Sequence, residues 1–269
     1  MTPPPTFPRR PLTMGELLDA AVQLLRGRTG LWLLVAAAGL AIAEQSLLYP
    51  MRRQLGIDLI SGFEGGFGET VLALYVVTAF GAGFEAMIIN ALGPLAGRSA
   101  AHSVLQERPR GHLAWWRTLV TAPIVGLLTT VGVLLGPLWV LGYALFGVSG
   151  AAIGLEDRGA FRALGRGARL AFRGGGRVTG VRLLGYLAWL LLRFAFFLAL
   201  LQVMSMISAS PVTGFWVLTV GFTVINAAAY AYLAALDASA LVESRFRAEA
   251  WDIWLTRARS KQLAAEAVR

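Results

Sequence analysis

Two ionisable residues stand alone inside long apolar stretches: Glu85, the only charge between Glu69 and Arg98, and Arg193, the only one between Arg182 and Asp237. A charge at mid-bilayer costs about 2.5–3.5 kcal/mol on insertion scales, so each calls for a partner or a function. Glu85 lies 16 residues from Glu69 and Arg193 lies 11 from Arg182, which puts both near the middle of an apolar helix. Their depths match, and we expect them to pair. The pair would either lock two helices together or line a transport or proton-relay path.

Other chemistry is scarce. With no cysteine, the chain has no disulfide, no thiolate metal site and no cysteine nucleophile. Its two histidines, His102 and His112, share one polar segment in which Glu107 is the nearby carboxylate, a poor set for metal binding or acid-base work. The run Gly174-Gly175-Gly176-Arg177-Val178-Thr179 lacks the Lys-Ser/Thr of a phosphate loop and follows no strand, so it reads as a joint ahead of an apolar helix. No catalytic residue, cofactor or metal is expected, and we do not expect an enzyme.

The arginines are organised. Arg158, Arg162, Arg166, Arg169 and Arg173 follow one another at spacings of 4, 4, 3 and 4, which makes one stripe on a helix, with Phe161, Leu164, Ala168 and Phe172 off it. Such a helix is expected to lie in the inner membrane interface, its basic face toward anionic headgroups or a cytoplasmic protein.

The elements that must hold these residues follow from composition. The 269 residues are 57% hydrophobic and 14% charged, with a mean hydropathy of +0.64, whereas soluble domains carry roughly 25% charged residues. An ordinary soluble globule is excluded. The net charge of +9 comes from arginines that flank apolar runs, the pattern that orients membrane spans; a nucleic-acid groove would cluster them differently, and no nucleic-acid partner is expected.

A helix of about 20 apolar residues crosses the hydrocarbon core. Six stretches qualify, at about 30–49, 70–96, 118–135, 138–155, 183–207 and 212–236. The third and fourth come from one uncharged run of 38 residues, Thr118 to Leu155, too long for one crossing and broken most plausibly at Gly136-Pro137. The last two share an uncharged run from Phe194 to Leu236, with Ser208 to Pro211 as the turn. With the N-terminus inside, 21 of the 24 cations fall on the inner side and only Arg52 and Arg53 on the outer, so both termini are expected to be cytoplasmic. Residues 31–43, ending in Ala41-Ile42-Ala43, also imitate a secretory signal, but one that would start thirty residues in.

Short amphipathic helices are expected on the inner side. Thr13 with Glu16 three residues on is a capping-box pattern, and Leu17, Leu18, Ala21, Val22, Leu24 and Leu25 fall on one arc behind it. His112 to Arg117, with Trp115 and Trp116, suits the headgroup level ahead of the third span. Within the spans, Asn90 and Asn226 offer interhelical hydrogen bonds, and Gly81, Gly93 and Gly97 allow close helix approach. Glu44 and Asp237 read as interfacial, Asp237 within reach of Arg245. The expected division is an N-terminal tail (1–11), a six-span all-α membrane domain (12–244) and an amphipathic cytoplasmic tail (245–269).

The segment Pro11-Leu12-Thr13-Met14-Gly15-Glu16-Leu17-Leu18-Asp19-Ala20-Ala21, followed by Leu24-Leu25-Arg26, resembles the opening of the bacterial glycerophosphoryl diester phosphodiesterase membrane-domain proteins. Arg169-Leu170-Ala171-Phe172-Arg173-Gly174 leading into Arg177-Val178 is similar to that family's basic inner helix. The stretch from Glu243 to Asp252 resembles its closing Asp-x-Arg-x-Arg-x-Glu-Gly-x-Asp pattern, with Glu243 for the first Asp and Ala250 for Gly. The resemblance implies a six-span bundle in a bacterial inner membrane. It implies no activity, because the family's name comes from a separate barrel of roughly 250 residues for which six spans leave no room. Two functions are left: a scaffold or accessory subunit whose basic inner face engages anionic lipid or a protein partner, or a small permease or channel subunit that uses Glu85 and Arg193.

Overall fold

The computed structural model describes residues 10, 12–55, 57, 58, 62, 63, 66–105, 115–136, 138–172, 176–207 and 210–249. In chain order these form α1 (Met14–Arg26), α2 (Arg28–Gln54), α3 (Phe67–Leu105), α4 (Trp115–Leu134), α5 (Trp139–Phe146), α6 (Ser149–Glu156), α7 (Ala160–Phe172), α8 (Arg177–Met206) and α9 (Pro211–Glu249). Between α2 and α3 two-residue strands β1 (Ile57–Asp58) and β2 (Gly62–Phe63) pair antiparallel, Ile57 opposite Phe63. The protein is therefore helical, and five of its helices are long and apolar enough to cross a membrane: Thr29–Gln54, Phe67–Val104, Trp115–Leu134, Arg177–Met206 and Val212–Arg247.

Local sequence explains the ends. Thr13 Oγ1 accepts from the Glu16 amide at 3.3 Å while Glu16 Oε2 accepts from the Thr13 amide at 2.8 Å, so two otherwise orphaned donors at the start of α1 are satisfied reciprocally. The helix buries Leu17, Ala20, Ala21 and Leu24 against α9 and α2. The chain reverses after α4 at Gly136, whose φ of +86° is open to glycine at no steric cost. At the start of α9, Ser210 Oγ accepts from the Thr213 amide at 3.2 Å.

The 138–155 stretch, expected as one span, is not one continuous helix. It is two eight-residue helices, α5 and α6, which meet at Gly147 and Val148. Both residues keep helical dihedrals, so the chain bends there without reversing. Across the expected boundary at 244/245, α9 continues through Arg245 to Glu249. The 1–9 tail and residues 250–269 lie outside the described residues, as does His112.

Among the described residues, several helix ends gather at one end of the bundle. Thr29 Oγ1 and Ser99 Oγ, 2.8 Å apart, tie the start of α2 to the end of α3. Arg117 at the start of α4 donates to the Asp157 carbonyl between α6 and α7 at 3.0 Å. Arg177 at the start of α8 donates to the Leu12 carbonyl at 2.6 Å and sits 3.4 Å from Glu243 near the end of α9. The rods α2, α3, α4, α5–α6, α8 and α9 thus alternate in direction, and α1 and the end of α9 lie at the same end.

The core lies toward that end. Between Ala227 and Val242, α9 is almost wholly buried, and its alanines let α1, α2 and α3 approach. The tightest crossing is α3 on α6, where Gly93 and Gly97 face Gly150 and Gly154. A Cβ on Gly93 would sit 2.5 Å from the Gly150 carbonyl carbon, and one on Gly154 would sit 2.2 Å from the Pro94 oxygen. Away from the core the surface is apolar: Leu119, Leu127, Leu191, Phe194, Val212, Val220 and Val224 are all exposed, more large apolar side chains than a water-facing surface ordinarily shows.

Candidate functional site

Glu85 in α3 and Arg193 in α8 meet. Arg193 Nη2 lies 2.5 Å from Glu85 Oε1, the Tyr186 hydroxyl donates to Glu85 Oε2 at 3.4 Å, and the guanidinium sits 5.5 Å from the centre of the Tyr230 ring. Two groups of α8 therefore hold the carboxylate, which is buried, while Arg193 is partly buried and lies over Tyr230 of α9. The cluster extends to α2, where Glu44 is only 4% exposed and accepts from the Tyr230 hydroxyl at 2.6 Å. Glu44, expected at the interface, is covered laterally by α9.

A second buried pair joins α8 to α9. Arg182 is 1% exposed; its Nε lies 2.5 Å from Asp237 Oδ1 and its Nη2 3.3 Å from Oδ2, a two-pronged contact. The Nη1 of the same guanidinium donates to the carbonyls of Tyr143 and Ala144 at the end of α5, and the group stacks 4.3 Å from the Tyr143 ring centre. Asp237 was expected near Arg245, and instead pairs with Arg182 across the bundle. Arg245 lies by Glu156 and Glu249.

These contacts explain the bend between α5 and α6. Asn90 Nδ2 reaches the carbonyls of Phe146 (3.4 Å) and Gly147 (3.3 Å) and Ser149 Oγ (2.8 Å), and Ser149 Oγ donates to the Phe146 carbonyl. Carbonyls that would bind amides one turn on are occupied by side chains, so the helical ladder lapses while every named carbonyl keeps a partner. Gly147 is required there, because a Cβ would sit 1.5 Å from Arg182 Nη2. Asn90 thus serves as an interhelical donor through Nδ2; its Oδ1, like that of buried Asn226, has no hydrogen-bond partner among the described residues.

The arginine stripe divides. Arg166 is 5% exposed and lies 3.0 Å from Glu156 and 2.5 Å from Glu249; Arg158 pairs with Glu156 as well. These pairs tie α7 and the residue ahead of it to the ends of α6 and α9; Arg166 is buried and so leaves the five-arginine face, whereas the Arg158 side chain stays 39% exposed beside its partner. Arg162 and Arg169 stay exposed, and Arg173 lies outside the described residues. On the same outward arc are Phe161, 76% exposed, and Phe172, 75% exposed, with Gly165 between them. The buried face of α7, Ala160, Ala163, Leu164, Gly167, Leu170 and Ala171, lies on α5 and α6. Exposed Trp32, Trp115 and Trp116 belong to the N-terminal ends of α2 and α4, the same end of the bundle.

Sequence reasoning found Glu85, Arg193 and Asn90 but missed Arg182, Asp237 and Glu44 as interior groups. The available signal was position: each lies more than a turn inside the nearest charge cluster, beyond Arg177, before Glu243 and before Arg52. Among the described residues no group of three or more histidines and carboxylates is placed to hold a metal ion. No family model, curated protein or solved structure matches the chain.

Proposed function

We propose that this chain is a non-catalytic, six-span protein of a bacterial inner membrane, a scaffold or accessory subunit that docks anionic lipid headgroups at its inner face. The α5–α6 tract is the sixth crossing: its 18 residues from Trp139 to Glu156 measure about 27 Å as helix. An even number of crossings agrees with α1 and the end of α9 lying at one end of the bundle. The segments that resemble the phosphodiesterase membrane-domain family then carry the inner ion pairs, Glu243 with Arg177 and Arg247, and Glu249 with Arg166 and Arg245.

The observation that carries the reading is the outward arc of α7. After Arg158 and Arg166 are consumed by internal carboxylates, Arg162 and Arg169 face outward between exposed Phe161 and Phe172, cations beside apolar anchors, as an interfacial helix needs. Each arginine contributes about 1 kcal/mol near an anionic surface. Replacing both Arg162 and Arg169 by Gln should weaken binding to phosphatidylglycerol-containing vesicles or nanodiscs about 30-fold with the melting temperature unchanged. Replacing Arg158 and Arg166 should do the reverse, lowering the melting temperature with lipid affinity retained. Equal lipid affinity in the Arg162/Arg169 variant would overturn the proposal.

The bend between α5 and α6 favours a second reading, a small permease or channel subunit, since interrupted helices at mid-membrane mark transport sites. Against it, the carbonyls at the bend are already held by Asn90, Ser149 and Arg182. A cysteine at Ala86 that reacts with an aqueous thiol reagent would favour the permease.

A further inference from the structure

We propose that the intramembrane cluster of Glu44, Glu85 and Arg193 is a proton-binding site that takes up one proton per chain, on Glu44. Two buried carboxylates, from α2 and α3, share one guanidinium, from α8. Arg193 is committed to Glu85 at 2.5 Å, and no cation lies within ion-pair distance of Glu44 among the described residues. Among the described residues, the hydrogen bond to the Glu44 carboxyl is from the Tyr230 hydroxyl at 2.6 Å, a neutral donor.

The other groups around Glu44 do not supply the missing charge. From α9 it faces Tyr230, from α3 Glu85, and from α8 Arg193. On its own helix Arg52 is turned to Gln45 Oε1 at 2.7 Å and to the Leu48 carbonyl at 3.4 Å. The ionisable groups of α1 lie beyond the start of α2, 18 residues or more before Glu44, about 27 Å at helical rise. An uncompensated carboxylate in this setting is costly, and the smallest species that neutralises it is a proton. The site is independent of the lipid-docking arc on α7, which lies at the inner end.

The count makes a pattern that a structural ion pair alone does not. In protein labelled with carbon-13 glutamate, infrared spectroscopy at neutral pH should find one neutral glutamic acid carbonyl per chain. Glu44→Gln removes it. Glu85→Gln also removes it, because Arg193 is then free to balance Glu44. Arg193→Gln doubles it, because both carboxyls must then be neutral. The spectra are taken in sodium-free and sodium-rich buffer, and a band that sodium abolishes would identify a metal cation as the ligand and overturn the proton assignment. A wild-type spectrum without the band, or a band that persists in Glu44→Gln, would overturn the proposal. The wild-type measurement stands even where a variant fails to fold, and tryptophan fluorescence melting identifies such variants.

Discussion

At the scale of residues, the interior is held by charges that have partners, and it should fail when one partner is removed. Arg182 serves Asp237 and two carbonyls at once, so Asp237→Asn or Arg182→Gln leaves an uncompensated buried group and is expected to cost about 3–5 kcal/mol, read as a fall in melting temperature in detergent. Gly147→Ala should mimic the Arg182 variants without touching a charge, because its methyl would occupy the place of the guanidinium. For Glu85 and Arg193, either single reversal, Glu85→Arg or Arg193→Glu, should abolish membrane expression, and the double reversal should restore a substantial part of it; no rescue would mean that the contact is incidental. At the surface, the Glu16 carboxyl is drawn down to about 2, chiefly by its hydrogen bond from Arg10 and then by the Thr13 amide. Its folded value lies below its unfolded one, so the stabilisation of the α1 cap is present above about pH 4.5 and is lost as pH falls through about 2. Amide exchange in the first turn of α1 should accelerate over that window and stay flat above it.

At the scale of elements, the contrast between glycines tests which helix contacts matter. Gly93 and Gly150 meet backbone to backbone, so alanine at either must separate α3 from α6, whereas Gly39 and Gly165 have nothing within 4 Å of an added Cβ. Gly93→Ala and Gly150→Ala are expected to destabilise strongly. Gly39→Ala and Gly165→Ala should be neutral or stabilise by up to about 1 kcal/mol through helix propensity. The same comparison explains why α7 was only half legible. Its arginine period was plain in the sequence, and the 100° geometry does place Arg162 and Arg169 on one arc. Which arginines would be consumed depended on Glu156 and Glu249, which come from two other helices and lie 10 residues before and 83 after Arg166. No local pattern links them.

At the scale of the whole molecule, the reading is a six-rod bundle with its connections of α1–α2, α3–α4, α6–α7–α8 and the end of α9 on the inner side. The chain has no cysteine, so introduced ones report without background. Leu135→Cys, in the turn after α4, should react with a membrane-impermeant thiol reagent on intact cells, and Gly159→Cys, between α6 and α7, only after permeabilisation. Labelling of both from outside would remove the sixth crossing, and the reverse pattern would invert the orientation.

Hydropathy and charge by themselves determined that the chain is helical and membrane-sized, where its long apolar helices run, and where the chain turns at Gly136 and ahead of Pro211. Those properties are set by neighbours in sequence: apolar runs, caps, and residues that permit positive φ. The match in depth between Glu85 and Arg193 was also readable, because helical rise converts residue counts to height. Only the tertiary structure decided that Arg182 turns inward to Asp237 and to α5, that Glu44 lies under α9 beside a pair already balanced, and that α5 and α6 part at Gly147. Each of these is a competition among groups far apart in the chain for a limited number of buried partners. Its outcome depends on which helices pack side by side, a property that no single helix carries in its own residues.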